Sequence, residues 1–343
     1  MRPLEYAAIN PTSGGVYRIE GDARDGPATL PWSLIVKIVR APHRADPAGH
    51  TNDSSPDSDP ARLEYWRREV LAYRSGLFDG WESGLRAARC HGITEYADDA
   101  AAIWLEDLSG HRRSRWDAAD EQRVAEDLGW FSARHTERPP PYRWLHRGCL
   151  RILANSRRAA VLDLITRPET WQHPLTRRHF PEPIADRLLR VWEERPLSLD
   201  ALDRLPQTVC HFDISRHNLF LVERSDGRRG TVAIDWASVG IGAVGEDLSL
   251  LVPSPFFRLE EDVQRLPRQA EVTYEAYLHG LKDAGWRGVE RDVRLGYTIA
   301  IGLRTVFIAP TLRALSDAQA REYEERRWGA SIEVIIAQRA PLT

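Results

Sequence analysis

Residues 209–240 read VCHFDISRHNLFLVERSDGRRGTVAIDWASVG, and four polar residues there, His211, Asp213, Asn218 and Asp235, have the types and spacing for oxygen-ligand chemistry. The runs NLFLVE and TVAID read as short strands, and RSDGRRG between them, with Asp226-Gly227, reads as a turn. Such a hairpin returns the end of its second strand to the start of its first. It therefore predicts Asp235 beside Asn218 and the loop that carries Asp213. Two carboxylates and a carboxamide in one place attract a hard divalent cation, because oxygen ligands suit Mg²⁺ and the ion relieves repulsion between the acids. A site for metal and phosphate is the simplest chemistry for that set.

The chain that must position these residues has 343 amino acids, enough for one large domain or two lobes. With 42% hydrophobic and 28% charged residues and a formal net charge of −3, it calls for neither disorder nor a polyanion-binding surface, so nucleic acid is not an expected partner. Only Lys37 and Lys282 are lysines, so Lys37 stands out from the Arg-rich background. Cys90, Cys149 and Cys210 lie far apart without a Cys-x-x-Cys pair, which argues against disulfides and structural zinc. No apolar run reaches the ~18 residues of a membrane span, and TIAIGLRTVFIAP is interrupted by Arg304. The first residues lack the apolar stretch of a signal peptide, and a reducing, cytoplasmic setting without membrane contact is the expectation.

The first hundred residues read as strands with one long helix. PLEYAAIN and GVYRIEG are strand-like around PTSGG, and SLIVKIVR is an apolar run with Lys37 inside it. Residues 41–61 are rich in Pro, Asp and Ser and read as an exposed loop. RLEYWRREVLAYRSGLF then has helical spacing, with Gly76 as its stop. AAIWLEDLSG is a further strand ending in acidic residues, and beyond it the pattern turns helical, with DAADEQRVAEDLGWFSARH first and further helices around 142–166, 183–194, 260–284, 291–312 and 318–337. A lobe boundary is expected at Asp107, giving lobes 1–107 and 108–343, with the loop 211–218 and the hairpin 219–235 in the second.

His211, Asp213, Asn218 and Asp235, as His-x-Asp-x-x-x-x-Asn, a hairpin and Asp, resemble the Brenner-type motif of the aminoglycoside phosphotransferase and choline kinase family, relatives of the protein kinases. The resemblance implies an α+β, bilobal, protein-kinase-like fold, with a β-rich first lobe carrying one long helix and a mainly helical second lobe. It implies that Asp213 is the catalytic aspartate for a substrate hydroxyl, that Asn218 and Asp235 hold Mg²⁺, and that His211 and Asp247 support the catalytic loop. In the first lobe it implies that Lys37 pairs with Glu69, with Glu64 as the alternative, to hold nucleotide phosphates. It places a phosphate-covering turn at Gly14-Gly15 and the nucleobase at the linker Glu106, Asp107 and Leu108. Three departures stand out: Phe212 occupies a usual Gly position, Ser215 a position where protein kinases have Lys, and Trp236 rather than Phe-Gly follows the metal Asp. Arg216 is then the candidate for a positive charge at the γ-phosphate.

The function implied is ATP-dependent phosphorylation of a small-molecule hydroxyl, with GTP open as donor and the acceptor an aminoglycoside, amino sugar, sugar or related metabolite. Glu246, Glu260, Glu261, Asp262, Glu271 and Glu275 would favour a cationic acceptor, and solvated helix faces are the other reading. A silent kinase-like regulator and an AMP-transferring enzyme are the alternatives, and monomer and homodimer both stay open.

Overall fold

The computed structural model describes residues 1–4, 12–41, 59–79, 84–96, 99–113, 115–136, 138–172, 183–224, 227–257 and 261–304. Most of the 41–61 loop, Glu260, the Asp226 turn and the helix expected at 318–337 lie outside them. Strands β1 (Arg2–Pro3), β2 (Ser13–Asp25), β3 (Ala28–Arg40), β5 (Cys90–Tyr96) and β6 (Ala100–Glu106) form one sheet in the order β1-β2-β3-β6-β5, all neighbours antiparallel. The β2–β3 connection is a two-residue loop with Gly26 at φ 59°, the positive φ that a tight hairpin turn needs. Lys37 is buried near the end of β3, opposite Val16 on one side and Ile103 on the other.

Helix α1 (Arg68–Arg74) follows β3 and is shorter than the sequence spacing predicts, because residues 60–67 run as turns before it. Its buried Val70 joins the sheet core of Val39, Trp66, Ile103 and Leu105, to which the strand hairpin of the second half adds Phe220 and Val232, while Ala72 packs into the main core with Leu128 and Trp236. The fold class is thus α+β, as the motifs imply.

Helices dominate after β6. They are α2 (Ala118–Thr136), α3 (Cys149–Thr166), α4 (Pro168–Gln172), α5 (Pro183–Glu193), α6 (Arg195–Arg204), α7 (Leu248–Leu251), α8 (Ser254–Phe257), α9 (Leu266–Asp283) and α10 (Glu290–Arg304). Helix α2 begins with a reciprocal cap: Asp120 N–H donates to Asp117 Oδ1 at 2.9 Å and Asp117 N–H to Asp120 Oδ2 at 3.2 Å. Its buried Val124, Leu128 and Phe131 share the main core with Tyr277 and Leu281 of α9. The two helices cross closely at glycines, since a Cβ on Gly129 would strike the Tyr277 carbonyl and one on Gly280 the Glu126 carbonyl.

Two small sheets lie between these helices. In one, β4 (Arg86–Ala87), β10 (Arg229–Ala233) and β9 (Leu219–Glu223) run in the order β4-β10-β9; in the other, β7 (His146–Arg147), β11 (Gly240–Ala243) and β8 (Gln207–Cys210) run in the order β7-β11-β8. The short strands β4, β7, β8 and β11 carry no sequence period long enough to read. No helix among the described residues is long and apolar enough to cross a membrane.

Candidate active site

Strands β9 and β10 pair antiparallel with Leu219 opposite Ala233, so the residues just before β9 and just after β10 meet at one end of the hairpin. Asn218 and Asp235 occupy those positions, and Ile234 N–H donates to Asn218 O at 2.9 Å to close the ladder. Asn218 reaches back across the loop, its Nδ2 donating to Asp213 O at 2.9 Å and to Asp213 Oδ2 at 3.1 Å. Giving its N–H groups to Asp213 leaves the Asn218 carbonyl oxygen as a ligand atom of the kind a hard cation takes. Burial pushes the Asp213 carboxyl up from its ordinary range.

The loop is held from behind. Asp247 Oδ2 accepts the His211 N–H at 2.8 Å and Oδ1 the Phe212 N–H at 2.9 Å, while burial raises the Asp247 carboxyl. His211 Nε2 donates to Ile234 O at 3.0 Å and Nδ1 accepts the Asp213 N–H at 3.2 Å, contacts that a neutral, Nε2-protonated ring satisfies together. Phe212 and Asp235 are the non-glycine residues at positive φ among those described, both at 63°. That conformation costs roughly 1–2 kcal/mol for a residue with a Cβ. Such strain persists where the surroundings over-determine it, and it gathers at functional sites. It also gives a reason for Gly at the position that Phe212 fills here.

From the first sheet, Lys37 Nζ stands 2.6 Å from Glu69 Oε2 and 2.6 Å from Asp235 Oδ1. Glu69 is fully buried on α1, and its other oxygen accepts the Trp236 N–H at 3.2 Å. Burial raises the Glu69 carboxyl, and the neighbouring Lys37 ammonium pulls it the other way. Of the two glutamates weighed for this pair, the structure brings Glu69 to Lys37. Trp236 is itself fully buried, with its ring 4.5 Å from those of His211 and Phe78. The residue after Asp235 is therefore an anchor in the core.

Gly14 and Gly15 lie within β2 rather than in a turn. The register shifts between Ser13 and Gly15, and Gly15 stands at φ 117° opposite Ile38, next along from the Lys37 pair. Glu106 ends β6 and pairs with Arg86. Asp107 accepts from Arg18 of β2 and from the Ser109 N–H at 2.9 Å. Burial alone would raise the Asp107 carboxyl, but the hydrogen bonds from Ser109, Arg18 and Ser33 together hold it at about 2. Leu108 is buried beside them.

Arg216 is engaged by two carboxylates, Glu121 of α2 and Glu261 at 3.0 Å, and its guanidinium lies 5.3 Å from the Trp116 ring centre. The acids read as a cationic-acceptor patch are largely committed elsewhere. Glu261 pairs with Arg216 and Arg265, Glu271 with Arg294 at 2.8 Å, and Glu246 accepts the Ala243 N–H at 2.9 Å inside the core. Sequence reasoning missed Arg18, Glu121 and Trp116, which carry no motif and join the site only through tertiary contacts.

Among the described residues no group of three or more His, Cys, Asp or Glu side chains is placed to hold a metal ion. Asp235 with the Asn218 carbonyl is the oxygen pair that this site offers, as suits a cation that completes its shell from phosphate oxygens.

Comparison with solved structures finds the same fold. An amicoumacin kinase, hAmiN, in complex with AMP-PNP, Ca²⁺ and Ami superposes with a TM-score of 0.55 at 12% identity, over 94% of this chain and 89% of that one. The GDP and kanamycin complex of APH(2″)-IIia gives 0.50 at 12% identity over 96% and 95%, and spectinomycin phosphotransferase APH(9)-Ia with ADP and spectinomycin gives 0.50 at 12% over 95% and 93%. A search of curated protein sequences finds no match. The sequence profile of the phosphotransferase enzyme family, APH, matches residues 81–290, the span that holds Asp213, Asn218, Asp235 and Asp247, and by that match the chain belongs to this family.

Proposed function

We propose that the protein transfers the γ-phosphoryl group of ATP to a hydroxyl of a small molecule, with Mg²⁺ as cofactor. The observation that carries this reading is the meeting of Lys37 with Glu69 and Asp235, each at 2.6 Å, at the hairpin end where Asn218 ties down Asp213. In-line phosphoryl transfer asks a protein for positioning and charge neutralisation more than for covalent chemistry, and these residues fit that demand. Lys37 binds the nucleotide phosphates and is kept extended by Glu69. Asp213 orients the acceptor hydroxyl and takes its proton, and burial, which raises its carboxyl, improves it as a base. Asn218 and Asp235 would hold the Mg²⁺, which when bound neutralises charge on the phosphate oxygens. His211 and Asp247 keep the loop in place.

The nucleobase lies against the linker at Glu106, Asp107 and Leu108, and the β2 bulge at Gly14-Gly15 lies over the phosphates. On this reading residues 1–107 are the nucleotide lobe and 108–343 the acceptor lobe. The known complexes with AMP-PNP, ADP and GDP favour a nucleotide donor. The acceptor is a small hydroxylated molecule, an aminoglycoside, amino sugar, sugar or related metabolite, and Glu261 and Glu271, paired with arginines, are not the groups that select its charge. Arg216 is similarly committed, so its role is to hold the catalytic loop, with any phosphate contact secondary.

The test is mass spectrometry of the protein incubated with Mg-ATP and a panel of sugars, amino sugars, aminoglycosides, macrolides and choline, with Asp213→Asn as the blank. A phosphate adduct with ADP as co-product supports the reading. AMP as co-product, or nucleotide binding without turnover of any acceptor or of water, counts against it.

A further inference from the structure

Arg68 precedes Glu69 on α1 and is fully buried, yet no carboxylate pairs with it among the described residues. Its N–H groups go instead to backbone carbonyls. Nε donates to Trp144 O at 2.9 Å, Nη1 to Leu63 O at 2.6 Å and Ala237 O at 3.1 Å, and Nη2 to Pro60 O at 3.1 Å and to Arg62 O. A guanidinium has five donors and no acceptor, so the five carbonyls use it completely. Burial lowers its pKa to about 10, which still leaves it charged at neutral pH.

A buried cation held by carbonyl dipoles alone is a costly way to fill space, and an aliphatic side chain would pack there at less cost. What the carbonyls have in common is their position. Residues 60–63 lead into α1, Trp144 lies just before β7, and Ala237 is two residues beyond Asp235. Helix α1 is thereby tied twice to the segment after Asp235, by Arg68 to Ala237 O and by Glu69 to the Trp236 N–H. Of the two acids that share Lys37, Glu69 thus directly follows Arg68 and Asp235 lies two residues before Ala237.

Resting on the phosphotransferase reading for its consequence, we propose that Arg68 is a positioning residue: it fixes α1 against residues 235–237 so that Glu69 and Asp235 stay in reach of Lys37, and it makes residues 60–63 part of the nucleotide site's support. Lysine cannot replace it, because three donors on a flexible stem do not span five carbonyls.

The experiment compares wild-type protein with Arg68→Ala by two readouts: binding of a fluorescent ATP analogue with Mg²⁺, and hydrogen exchange in peptides covering 235–239 and α9. The expected result is a folded variant with faster exchange at 235–239, unchanged exchange in α9 and nucleotide binding weaker by about tenfold or more, the scale at which small misplacements are felt. Millimolar guanidinium should restore both, which a general loss of stability would not allow. A folded variant with wild-type exchange and affinity overturns the proposal. If Arg68→Ala does not fold, Arg68→Lys is measured in the same way, and failure of both to fold confines Arg68 to stability and also overturns it. If wild-type protein does not bind the nucleotide, the phosphotransferase reading fails, while exchange at 235–239 still decides whether Arg68 positions that segment.

Discussion

The backbone N–H of Phe212 donates to Asp247 Oδ1 at 2.9 Å, and this bond holds a phenylalanine at φ 63° directly before the proposed catalytic aspartate. Replacing Phe212 by Gly removes ~1–2 kcal/mol of backbone strain but gives up buried ring packing of ~3–5 kcal/mol. Chemical denaturation should show a net loss of about 1–4 kcal/mol with turnover retained. Asp247→Ala, which strands two buried N–H groups, should cost ~2–4 kcal/mol and lower turnover sharply as well. Equal effects of the two variants on turnover would contradict the bracing role.

Asp213 and Asp235 lie in one site but should separate in a binding experiment. Asp213→Asn is expected to lower turnover by ~10²–10⁴-fold, the range of general base catalysis, with Mg-nucleotide affinity little changed. Asp235→Ala should weaken Mg-nucleotide binding itself, since it removes both a proposed metal oxygen and a partner of Lys37. Titration calorimetry with and without Mg²⁺ checks both, and a normal isotherm for Asp235→Ala would refute its assignment.

Arg216 tests whether its two carboxylate partners explain it. Arg216→Met leaves Glu121 and Glu261 without their common cation and should cost ~3 kcal/mol in a denaturation curve. Adding Glu121→Gln and Glu261→Gln should recover most of that stability. If turnover recovers with it, Arg216 acts only by holding the loop; stability without turnover would assign it a direct phosphate contact.

Glu246 predicts a pH dependence. Burial holds its carboxyl up at about 7 against an ordinary 4.5. The folded state therefore favours the protonated form, and the stability this contributes is complete below the unfolded value and is lost as pH rises through about 7. Glu246→Gln keeps an oxygen for the Ala243 N–H and removes the titration. It should be more stable than wild type at pH values well above 7, by as much as ~3 kcal/mol, with the gap closing in mild acid. Parallel stability curves for the two proteins across that range would show that Glu246 is not the group responsible.

The part of this site legible in sequence is the part built by local geometry. A hairpin with a short turn brings its two ends together whatever surrounds it, so Asn218 and Asp235 were placed by spacing alone. Lys37 stood out because lysine is rare in this chain, whereas Glu69 was set ahead of Glu64 only by the resemblance of REVLAYRSG to the family's helix. Helix α2 was readable from its acidic start, which the structure explains as a reciprocal cap. What stayed hidden depends on contacts between distant segments. The carbonyl clasp of Arg68 leaves no side-chain signature, because its partners are backbone atoms of unremarkable residues. The same holds for the short strands β4, β7, β8 and β11, and for the acids that looked available until the fold matched them with arginines.

Lys37 and Asp235 touch across a sequence separation of 198 residues, and the other site groups are drawn from α1, the catalytic loop and the segment before α7. Contacts of such long range form slowly, because loop closure must precede any gain from them. The order of events in folding follows from this. Local elements such as α2 and the β9–β10 hairpin can form early, but the Lys37–Glu69–Asp235 cluster exists only when both halves of the chain have come together. On the proposed function, recovered nucleotide binding would report the last step of refolding, and a nascent chain released before residue 235 would carry Lys37 and the 211–218 loop without a complete site.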